Sequence, residues 1–309
     1  MKKLQWEQAR KLCHLEVGTD LGETTLRNHN IYKMKKVKLF EDFTANTKTY
    51  VFVGDIMQHP DQINYELDNN FAYDGVFDEV LHLFTNADMV LGNLETTISE
   101  SLEADAEDRT GKFRAHPKFL EALMHAGITH LATENNHMLD YGKNGYDTTL
   151  DLINKSGIIP INRESGHILN LTTHINGQDR LSLKEIKELI KPAEDTSSIA
   201  YIHWGDQYNS EPTDEQVKVA KLTRDAGYAM IIGSGTHTYN FTTFDGNLIA
   251  YSLGDFLSNH QAPDTTDVGK ILTVDITEGR VSKAKEYYTT TNTDQGKSKI
   301  VITGSKVIL

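Results

Sequence analysis

Five short apolar runs in this chain each lead into a small group of polar residues. The runs read TYVFVGD, DMVLGNLE, ITHLATENNH, SIAYIHWGD and YAMIIGSGTH, and the polar residues of interest in them are Asp55, Glu95, His137, His203 and His237. Short apolar runs bounded by turn-forming residues predict buried strands, and open α/β sheets bind ligands outside the carboxyl ends of their strands. We therefore predict that the five groups gather at one edge of a sheet, around one metal-dependent site.

Between these runs the apolar residues return at the spacing of a helix, which predicts an alternation of strands and helices. Pro117 and Gly127 bound one such segment, in keeping with proline at helix starts and glycine at helix ends. Capping boxes predict that two further helices begin after Ser182 and after Thr213. The segment after the first strand, residues 54–61, is predicted as a loop. The predicted helical segments are FDEVLHLFTNA, PKFLEALMHAG, GYDTTLDLINKSG, SLKEIKELIK and TDEQVKVAKLTRDAG.

In the last third of the chain the period becomes that of antiparallel strands. FTTFDGNLIAYSL and ILTVDITEGRVSKAKEYY predict hairpins that turn at Asp245-Gly246 and at Glu278-Gly279. Strands alternating with helices, followed by hairpins, predict packed sheets flanked by helices rather than a closed barrel. The first 45 residues lack clear periodicity and are predicted to be an N-terminal appendage of unknown role, with residues 46–309 forming a single domain.

Composition and charge narrow the classes of partner. The 309 residues are 38% hydrophobic and 24% charged, which suits a soluble globular protein, and the formal net charge is −13. That charge argues against binding nucleic acid and against binding an anionic membrane surface. A small phosphate ester can still bind where metal cations supply local positive charge. The one cysteine, Cys13, excludes an intrachain disulfide and a thiolate metal cluster.

The N-terminus begins with basic residues but lacks the apolar core of about 7–15 residues that defines a secretory signal. No stretch reaches the roughly 18 apolar residues needed for a transmembrane segment. On these grounds we expect a cytoplasmic protein, or the soluble form of a cell-surface protein whose export signal has been removed. The sequence leaves both compartments open.

The sequence NNHMLD is the most specific of the candidate sites. Asn136 offers an amide oxygen, which is a ligand for hard cations, and the neighbouring His137 is suited to protonate a leaving group. Asp140 follows three residues later, close enough on a turn to fix the tautomer of the histidine. The alternative is structural, with His137 capping a helix or packing in a turn.

Each of the other clusters has an ordinary structural interpretation when taken alone. Asp55 fits an Asx-turn or a helix cap, and Glu95 fits a solvated turn carboxylate. His203 and His237 are typical of structural histidines at strand ends. Their equivalent positions in the predicted topology favour one shared divalent-metal site.

The residue types at these positions suggest the metal and its chemistry. Imidazole, carboxylate and amide oxygen without thiolate suit Mn, Fe or Zn, in one or two ions. Two ions that share a carboxylate can activate a water and clamp the oxygens of a displacement at phosphorus. His59 and Asn93 are further candidate ligands because they lie close to two of the clusters in sequence.

The same residues resemble the CapA/PgsA family, the poly-γ-glutamate capsule synthesis proteins of the calcineurin-like metallophosphoesterase superfamily. The resemblance covers roughly residues 48–290 and rests on FVGDIM, DMVLGNLETT, ALMHAGITHLATENNHMLDYG, IHWGDQY, IIGSGTHT and NLIAYSLGDF. It implies a four-layer αββα metallophosphoesterase-like sandwich of mixed sheets, within the α/β class. The metal ligands that it implies are Asp55, Glu95, Asn136, His203 and His237. His137 resembles the catalytic histidine of the superfamily, and Asp140 would orient it.

The chain departs from the family pattern at three places. Gly235-Thr236-His237 stands where many relatives carry two histidines around one residue, so one ligand of a second metal is missing. Gln207 stands where a glutamate is common. The connection between Gly166 and Leu183 is short, which would reshape the substrate cleft.

The resemblance implies a CapA-like protein of capsule or poly-γ-glutamate biosynthesis with a divalent-metal hydrolase site, using metal-activated water and a histidine proton donor. Its partners would be an anionic polymer or a small phosphate or γ-glutamyl substrate, and the capsule synthesis machinery. Two alternatives stay open at this point. One is a non-catalytic polymer-binding or capsule-assembly component, and the other is a metal-dependent amide hydrolase acting on γ-glutamyl polymer.

Overall fold

The computed structural model describes residues 47–101, 111–163, 165, 168–176, 179–260 and 267–309. The predicted appendage, residues 1–45 with Cys13, lies outside this range, so the division into an appendage and one domain stays a prediction. The strands are β1 (Thr47–Ile56), β2 (Met89–Leu94), β3 (Thr97–Ile98), β4 (Arg114–Ala115), β5 (His130–Ala132), β6 (Ile159–Ile161), β7 (Ile168–Thr172), β8 (His174–Asn176), β9 (Asp179–Arg180), β10 (Ile199–His203), β11 (Met230–Ser234), β12 (Thr242–Phe244), β13 (Leu248–Ala250), β14 (Asp255–Leu257), β15 (Val268–Thr277), β16 (Arg280–Asp294) and β17 (Lys297–Val307). The helices are α1 (Pro60–Asp68), α2 (Leu81–Phe84), α3 (Pro117–Ala126), α4 (Gly142–Ser156), α5 (Leu183–Leu189) and α6 (Asp214–Asp225).

Two mixed sheets dominate the described part of the chain. The larger has the order β17-β16-β15-β1-β2-β5-β6, with β14 paired to the end of β1, and the smaller has the order β12-β13-β11-β10-β7. In the larger sheet the neighbours β1, β2, β5 and β6 are parallel, whereas β15, β16 and β17 form antiparallel pairs. In the smaller sheet β7, β10, β11 and β13 are parallel. The predicted hairpins at Asp245-Gly246 and Glu278-Gly279 connect β12 to β13 and β15 to β16.

Alternating side chains of β1 face two different layers. Val51 and Val53 pack with Phe119 and Leu123 of α3 on the outer face of the larger sheet. Phe52, between them, belongs to the core between the two sheets. Successive residues of a strand point to opposite faces, so a strand that is apolar throughout is covered on both sides.

The smaller sheet repeats this arrangement. Tyr201 of β10 belongs to the core between the sheets. Its neighbours Ala200 and Ile202 pack with Val219 and Ala220 of α6 on the outer face. The layers therefore run helix, sheet, sheet, helix, and the predicted four-layer αββα sandwich is confirmed.

Most helix boundaries follow the predicted capping signals, and two segments differ. Ser182 and Thr213 cap α5 and α6 with complete capping boxes, and Gly127 follows α3 in the left-handed conformation. The loop predicted for residues 54–61 is wrong at both ends, because β1 continues to Ile56 and α1 begins at Pro60. Its polar sequence hides the helical period. Within FDEVLHLFTNA only one helical turn, α2, forms. The rest of the segment consists of turns, and these already bury most of its apolar side chains.

The carboxyl ends of the parallel strands converge. In the larger sheet Asp55 is in register with Asn93 of β2 and with Asp255 of β14, and in the smaller sheet His203 is in register with Ser234. This convergence needs a close backbone approach beside Asp55. A Cβ on Gly54 would lie 1.8 Å from the carbonyl oxygen of Gly254, the residue before β14, so only glycine fits there.

Candidate metal centre

A buried group of carboxylate, imidazole and amide side chains lies where the strand ends of the two sheets meet. Asp55 ends β1, Glu95 follows β2, and His203 ends β10, while His237 follows β11 in a left-handed conformation with φ of 55°. Asp55 and Glu95 are fully buried, and the two histidines are nearly so. Four of the predicted ligands therefore share one buried region.

The distances between these side chains are those of a compact donor set. Glu95 Oε1 lies 3.7 Å from His203 Nε2 and 3.9 Å from His237 Nε2. Asp55 lies 3.9 Å from Nδ1 of each histidine, through Oδ1 to His203 and through Oδ2 to His237. Asp55, Glu95 and His237 can each offer an atom to one ion.

Asn93 holds this group in place rather than offering it an oxygen. Its Nδ2 donates to Asp55 Oδ1 at 2.8 Å and lies 3.5 Å from Glu95 Oε2. Its Oδ1 accepts from Asn135 Nδ2 at 3.0 Å, and that amide also donates to the carbonyl oxygen of Leu94. The oxygen of Asn93 is thus already used, so of the two asparagines predicted as ligands, Asn136 is the one with a free oxygen.

Three buried oxygen atoms in this region accept no hydrogen bond. They are Glu95 Oε1, Asn136 Oδ1 and Asp255 Oδ2. Buried polar atoms are nearly always paired, so an orphaned acceptor calls for an explanation. Carboxylate and amide oxygens are ligands for hard and borderline cations, and the residues present therefore fit a divalent metal.

The electrostatics of these side chains lead to the same conclusion. Burial raises the pKa of Asp55 and of Glu95 above the ordinary carboxyl value and raises the pKa of Asp255 to about 7. Burial also lowers the pKa of His203 and His237. In the described part of the chain, each ion pair of these carboxylates is with a histidine. Buried carboxylates that lack a cation cost several kcal/mol each, which a divalent cation would offset.

His137 and Asp140 form a pair beside the buried group. His137 Nδ1 lies 2.9 Å from Asp140 Oδ2, which also accepts from the backbone N–H of Phe113 at 2.8 Å. The ring of Phe113 packs edge-on against His137, with centroids 4.7 Å apart. The carboxylate and the ring therefore fix both the tautomer and the orientation of the imidazole.

An open cavity of about 410 Å³ lies in front of these groups. Asn136, His137 and His203 line it, and so do His174, Arg180 and Gln207. Arg180 Nη2 is paired with Asp206 at 2.5 Å, so the cavity is polar and carries both signs of charge. The predicted proton donor and two predicted metal ligands face the same cavity.

His59, the remaining candidate, lies at the periphery. Its Nδ1 accepts from the backbone N–H of Asn259 at 3.1 Å, and its ring packs against His260 at 4.6 Å. Burial, followed by the neighbouring His260, lowers the pKa of His59 to about 3. His59 thus contacts the group through His260 rather than through Asp55.

The sequence analysis missed two residues of this region, Asp255 and His260. Asp255 is buried at the start of β14 and lies 3.0 Å from His237 Nδ1 through its Oδ1. A signal for it exists, because LIAYSLGD repeats the apolar run followed by Gly-Asp that first indicated Asp55. His260 follows β14 without any comparable pattern.

Comparison with known proteins identifies the family. The sequence profile of the family described as "Bacterial capsule synthesis protein PGA_cap" matches residues 49–161 and 160–260. The chain belongs to this family. The resemblance to capsule synthesis proteins is thereby confirmed.

Two curated relatives of this PGA_cap chain carry capsule-related names. Capsule biosynthesis protein CapA of Bacillus anthracis is 25% identical over 255 residues, which cover 71% of this chain and 62% of the relative. PGA biosynthesis protein CapA of Bacillus subtilis (strain 168) is 24% identical over 263 residues, which cover 75% of this chain and 68% of the relative. The chain thus spans about two thirds of the length of these relatives.

A crystal structure described as a novel phosphatase, from Mycoplasma pneumoniae, aligns with 85% of this chain and 93% of its own, at 17% identity and a TM-score of 0.43. Among the residues that the structure describes, no helix is both long and apolar enough to cross a membrane.

Gly235, where the family resemblance led us to expect a histidine, has a structural role in this PGA_cap chain. Its backbone N–H donates to Asp55 Oδ2 at 2.9 Å, with φ of 101°. A Cβ at this position would lie 2.8–3.0 Å from three ring atoms of His203. A side chain at Gly235 would therefore require His203 to move.

Proposed function

We propose that this PGA_cap protein is a divalent-metal-dependent hydrolase of capsule or poly-γ-glutamate biosynthesis, acting on a phosphate ester. The ligands that would hold the metal are Asp55, Glu95, Asn136, His203 and His237. The orphaned oxygens of Glu95 and Asn136 and the burial of the whole group support this assignment. When bound, a divalent cation supplies Lewis acidity that polarises the substrate and acidifies water.

The protein groups around the cation perform the remaining tasks. His137 holds a proton that the leaving group needs, and its Nε2 is the nitrogen left free by the contact of Nδ1 with Asp140. Asp140 accepts from Nδ1 and so fixes the tautomer and the orientation of the ring. The backbone N–H of Phe113 keeps the carboxylate in position. A histidine in this role contributes about 10²–10⁴-fold to the rate.

The observation that carries the proposal is that His137, Asn136 and His203 line the same cavity. A cavity with only metal-binding groups would serve a structural or binding role equally well. An oriented histidine at its wall is what a hydrolase needs, and a polymer-binding component has no use for it. The capsule-related names of the two CapA relatives support an anionic substrate, which a cation can hold despite the net charge of −13.

A metal-supplemented activity screen tests the proposal. The protein would be offered Mn, Fe or Zn and assayed on phosphomonoesters, phosphodiesters and poly-γ-glutamate, with His137→Ala beside it. We expect phosphoester hydrolysis that depends on the metal and that His137→Ala reduces by about 10²–10⁴-fold. Cleavage of poly-γ-glutamate alone would replace the phosphoesterase assignment with amide hydrolysis.

His130→Ala is the matched control for that screen. His130 is a partly buried histidine at the start of β5, hydrogen-bonded to Thr129, and it lines a different cavity. The control variant should retain wild-type activity. Metal-loaded protein that hydrolyses none of these substrates, or a His137→Ala variant as active as wild type, would contradict the proposal.

A further inference from the structure

We infer that His237, Asp255 and His260 form a second divalent-cation position, adjacent to the one that Asp55, Glu95 and His203 would form. The inference rests on the proposed function for the first position only. It assigns a ligand role to Asp255 and His260 and moves His237 from the first position to the second. The second position then needs no histidine at Gly235.

The three donor atoms already have the spacing that a cation requires. His237 Nδ1 lies 3.0 Å from Asp255 Oδ1 and 3.1 Å from His260 Nε2, and Asp255 Oδ2 lies 3.6 Å from His260 Nε2. Neighbouring ligands bonded at about 2.0–2.2 Å to one ion lie roughly 2.8–3.6 Å from one another in octahedral or tetrahedral geometry. The donor atoms around Glu95 are more widely spaced, at 3.7 and 3.9 Å.

A second observation points to a ligand at this place. Asp255 is 1% exposed, and its Oδ2 is buried without a hydrogen-bond partner. His237 and His260 both contact this carboxylate directly, at 3.0 Å and 3.6 Å, and their ring centroids lie 4.1 Å apart. The carboxylate thus has one oxygen against His237 and one orphaned oxygen on the side of His260.

The position of His260 is set before any ion binds. Its backbone N–H donates to Asp267 Oδ1 at 3.0 Å, and Ser258 Oγ donates to the same oxygen at 3.1 Å. The ring of His59 packs edge-on against it from one side. Ligands held in this way by a supporting shell lose little freedom on binding a metal.

The competing interpretation is that Asp255 only orients His237. In that case His237 Nδ1–H would donate to Asp255, and Nε2 would face Glu95 in a single-metal site. This interpretation explains one imidazole and one carboxylate oxygen. It does not explain why His260 Nε2 lies 3.1 Å from His237 Nδ1, or why Asp255 Oδ2 is buried without a hydrogen-bond partner. Asp55 Oδ2, at 3.9 Å from His237 Nδ1, is placed to link the two positions.

Metal stoichiometry separates the two interpretations without any activity assay. Full-length protein would be titrated with MnCl₂ by calorimetry, and the bound metal would be counted by elemental analysis after gel filtration. We expect two ions per chain in the wild type, one in His260→Ala, and two in the control His130→Ala. If the wild type and His260→Ala each bind one ion and His203→Ala binds none, the inference is overturned and the proposed function stands. No bound ion in any of the proteins overturns both.

An anomalous difference map of a wild-type crystal soaked in MnCl₂ provides a check that depends on no variant. We expect two peaks about 3.5–4 Å apart, the separation of two-metal sites, with one within bonding distance of His260 Nε2. A single peak at Asp55, Glu95 and His203 would refute the second position, even if His260→Ala fails to fold.

Discussion

The substitution Asp140→Asn tests whether the carboxylate beside His137 has a catalytic role. In the wild type Asp140 Oδ2 accepts from His137 Nδ1 at 2.9 Å and from Phe113 N–H at 2.8 Å. In the variant the amide oxygen can take the place of Oδ2 and accept from both groups, so the geometry is kept while the negative charge is removed. His137 Nδ1 then donates to a neutral acceptor instead of a charged one.

The size of the effect follows from the burial of the pair. The side chains of His137 and Asp140 are 14% and 11% exposed, so solvent screens their interaction little. A hydrogen bond to a charged group contributes about 1.5–3 kcal/mol and one to a neutral group about 0.5–1.5 kcal/mol, so replacing one by the other costs about 1–1.5 kcal/mol. We expect kcat to fall by about 5–10-fold.

The assay is steady-state hydrolysis of the best phosphoester from the screen, measured across pH with metal content checked in each preparation. In Asp140→Asn kcat should fall while the bound metal stays the same. Asp147→Asn is the matched control, since Asp147 makes only an exposed ion pair with Lys143. Activity of Asp140→Asn within about twofold of wild type, at equal metal content, would refute the reasoning.

Three further predictions concern stability, each measured by urea unfolding. Gly54→Ala should destabilise the protein by about 3 kcal/mol or more or prevent folding, because its Cβ would lie 1.8 Å from a backbone oxygen, whereas Gly304→Ala, with its nearest neighbour at 3.6 Å, should be nearly neutral. Lys270→Met should lower the free energy of unfolding by about 3–5 kcal/mol, because it leaves Glu286 buried without the ammonium group now 2.8 Å away. The double variant Lys270→Met with Glu286→Leu should recover most of that loss. A double variant no more stable than the single one would contradict this account. Burial raises the pKa of Glu66 above the ordinary value of 4.5, so stability tied to its neutral form is lost as pH rises through that raised pKa, and Glu66→Gln should become more stable relative to wild type as pH rises above 4.5. A stability advantage of Glu66→Gln over wild type that shrinks as pH rises would contradict this prediction.

The sequence predicted the location of the site well because strand ends carry their own signal. Apolar runs that end in polar residues indicated Asp55, Glu95 and His203, and parallel strands bring such ends to one edge of a sheet. The structure places these three side chains together with His237, whereas their role as ligands stays a prediction. The spacing of His137 and Asp140 along the chain was also sufficient, because a turn brings residues three apart into contact.

Long-range pairing explains what the sequence analysis missed. Asp255 reaches Asp55 because β14 pairs in parallel with the end of β1, and no local pattern specifies which strand a three-residue segment will join. His260 is placed by its contact with Asp267, on the far side of a connection between two strands. Asn93 was predicted as a candidate ligand from its position, but its direction of hydrogen bonding depends on Asn135, which a linear reading does not reveal.

Direct measurement of bound metal tests the central claim that this buried group is a divalent-metal site. The protein would be purified without chelator, offered Mn, Fe or Zn in turn, and analysed by elemental analysis and thermal unfolding. The account predicts at least one equivalent of metal per chain and, at a metal concentration about 100 times Kd, a stabilisation of about 2.7 kcal/mol, or roughly 5–10 °C in Tm. A protein that stays metal-free, with the same Tm in the presence of each metal as with chelator, would contradict it.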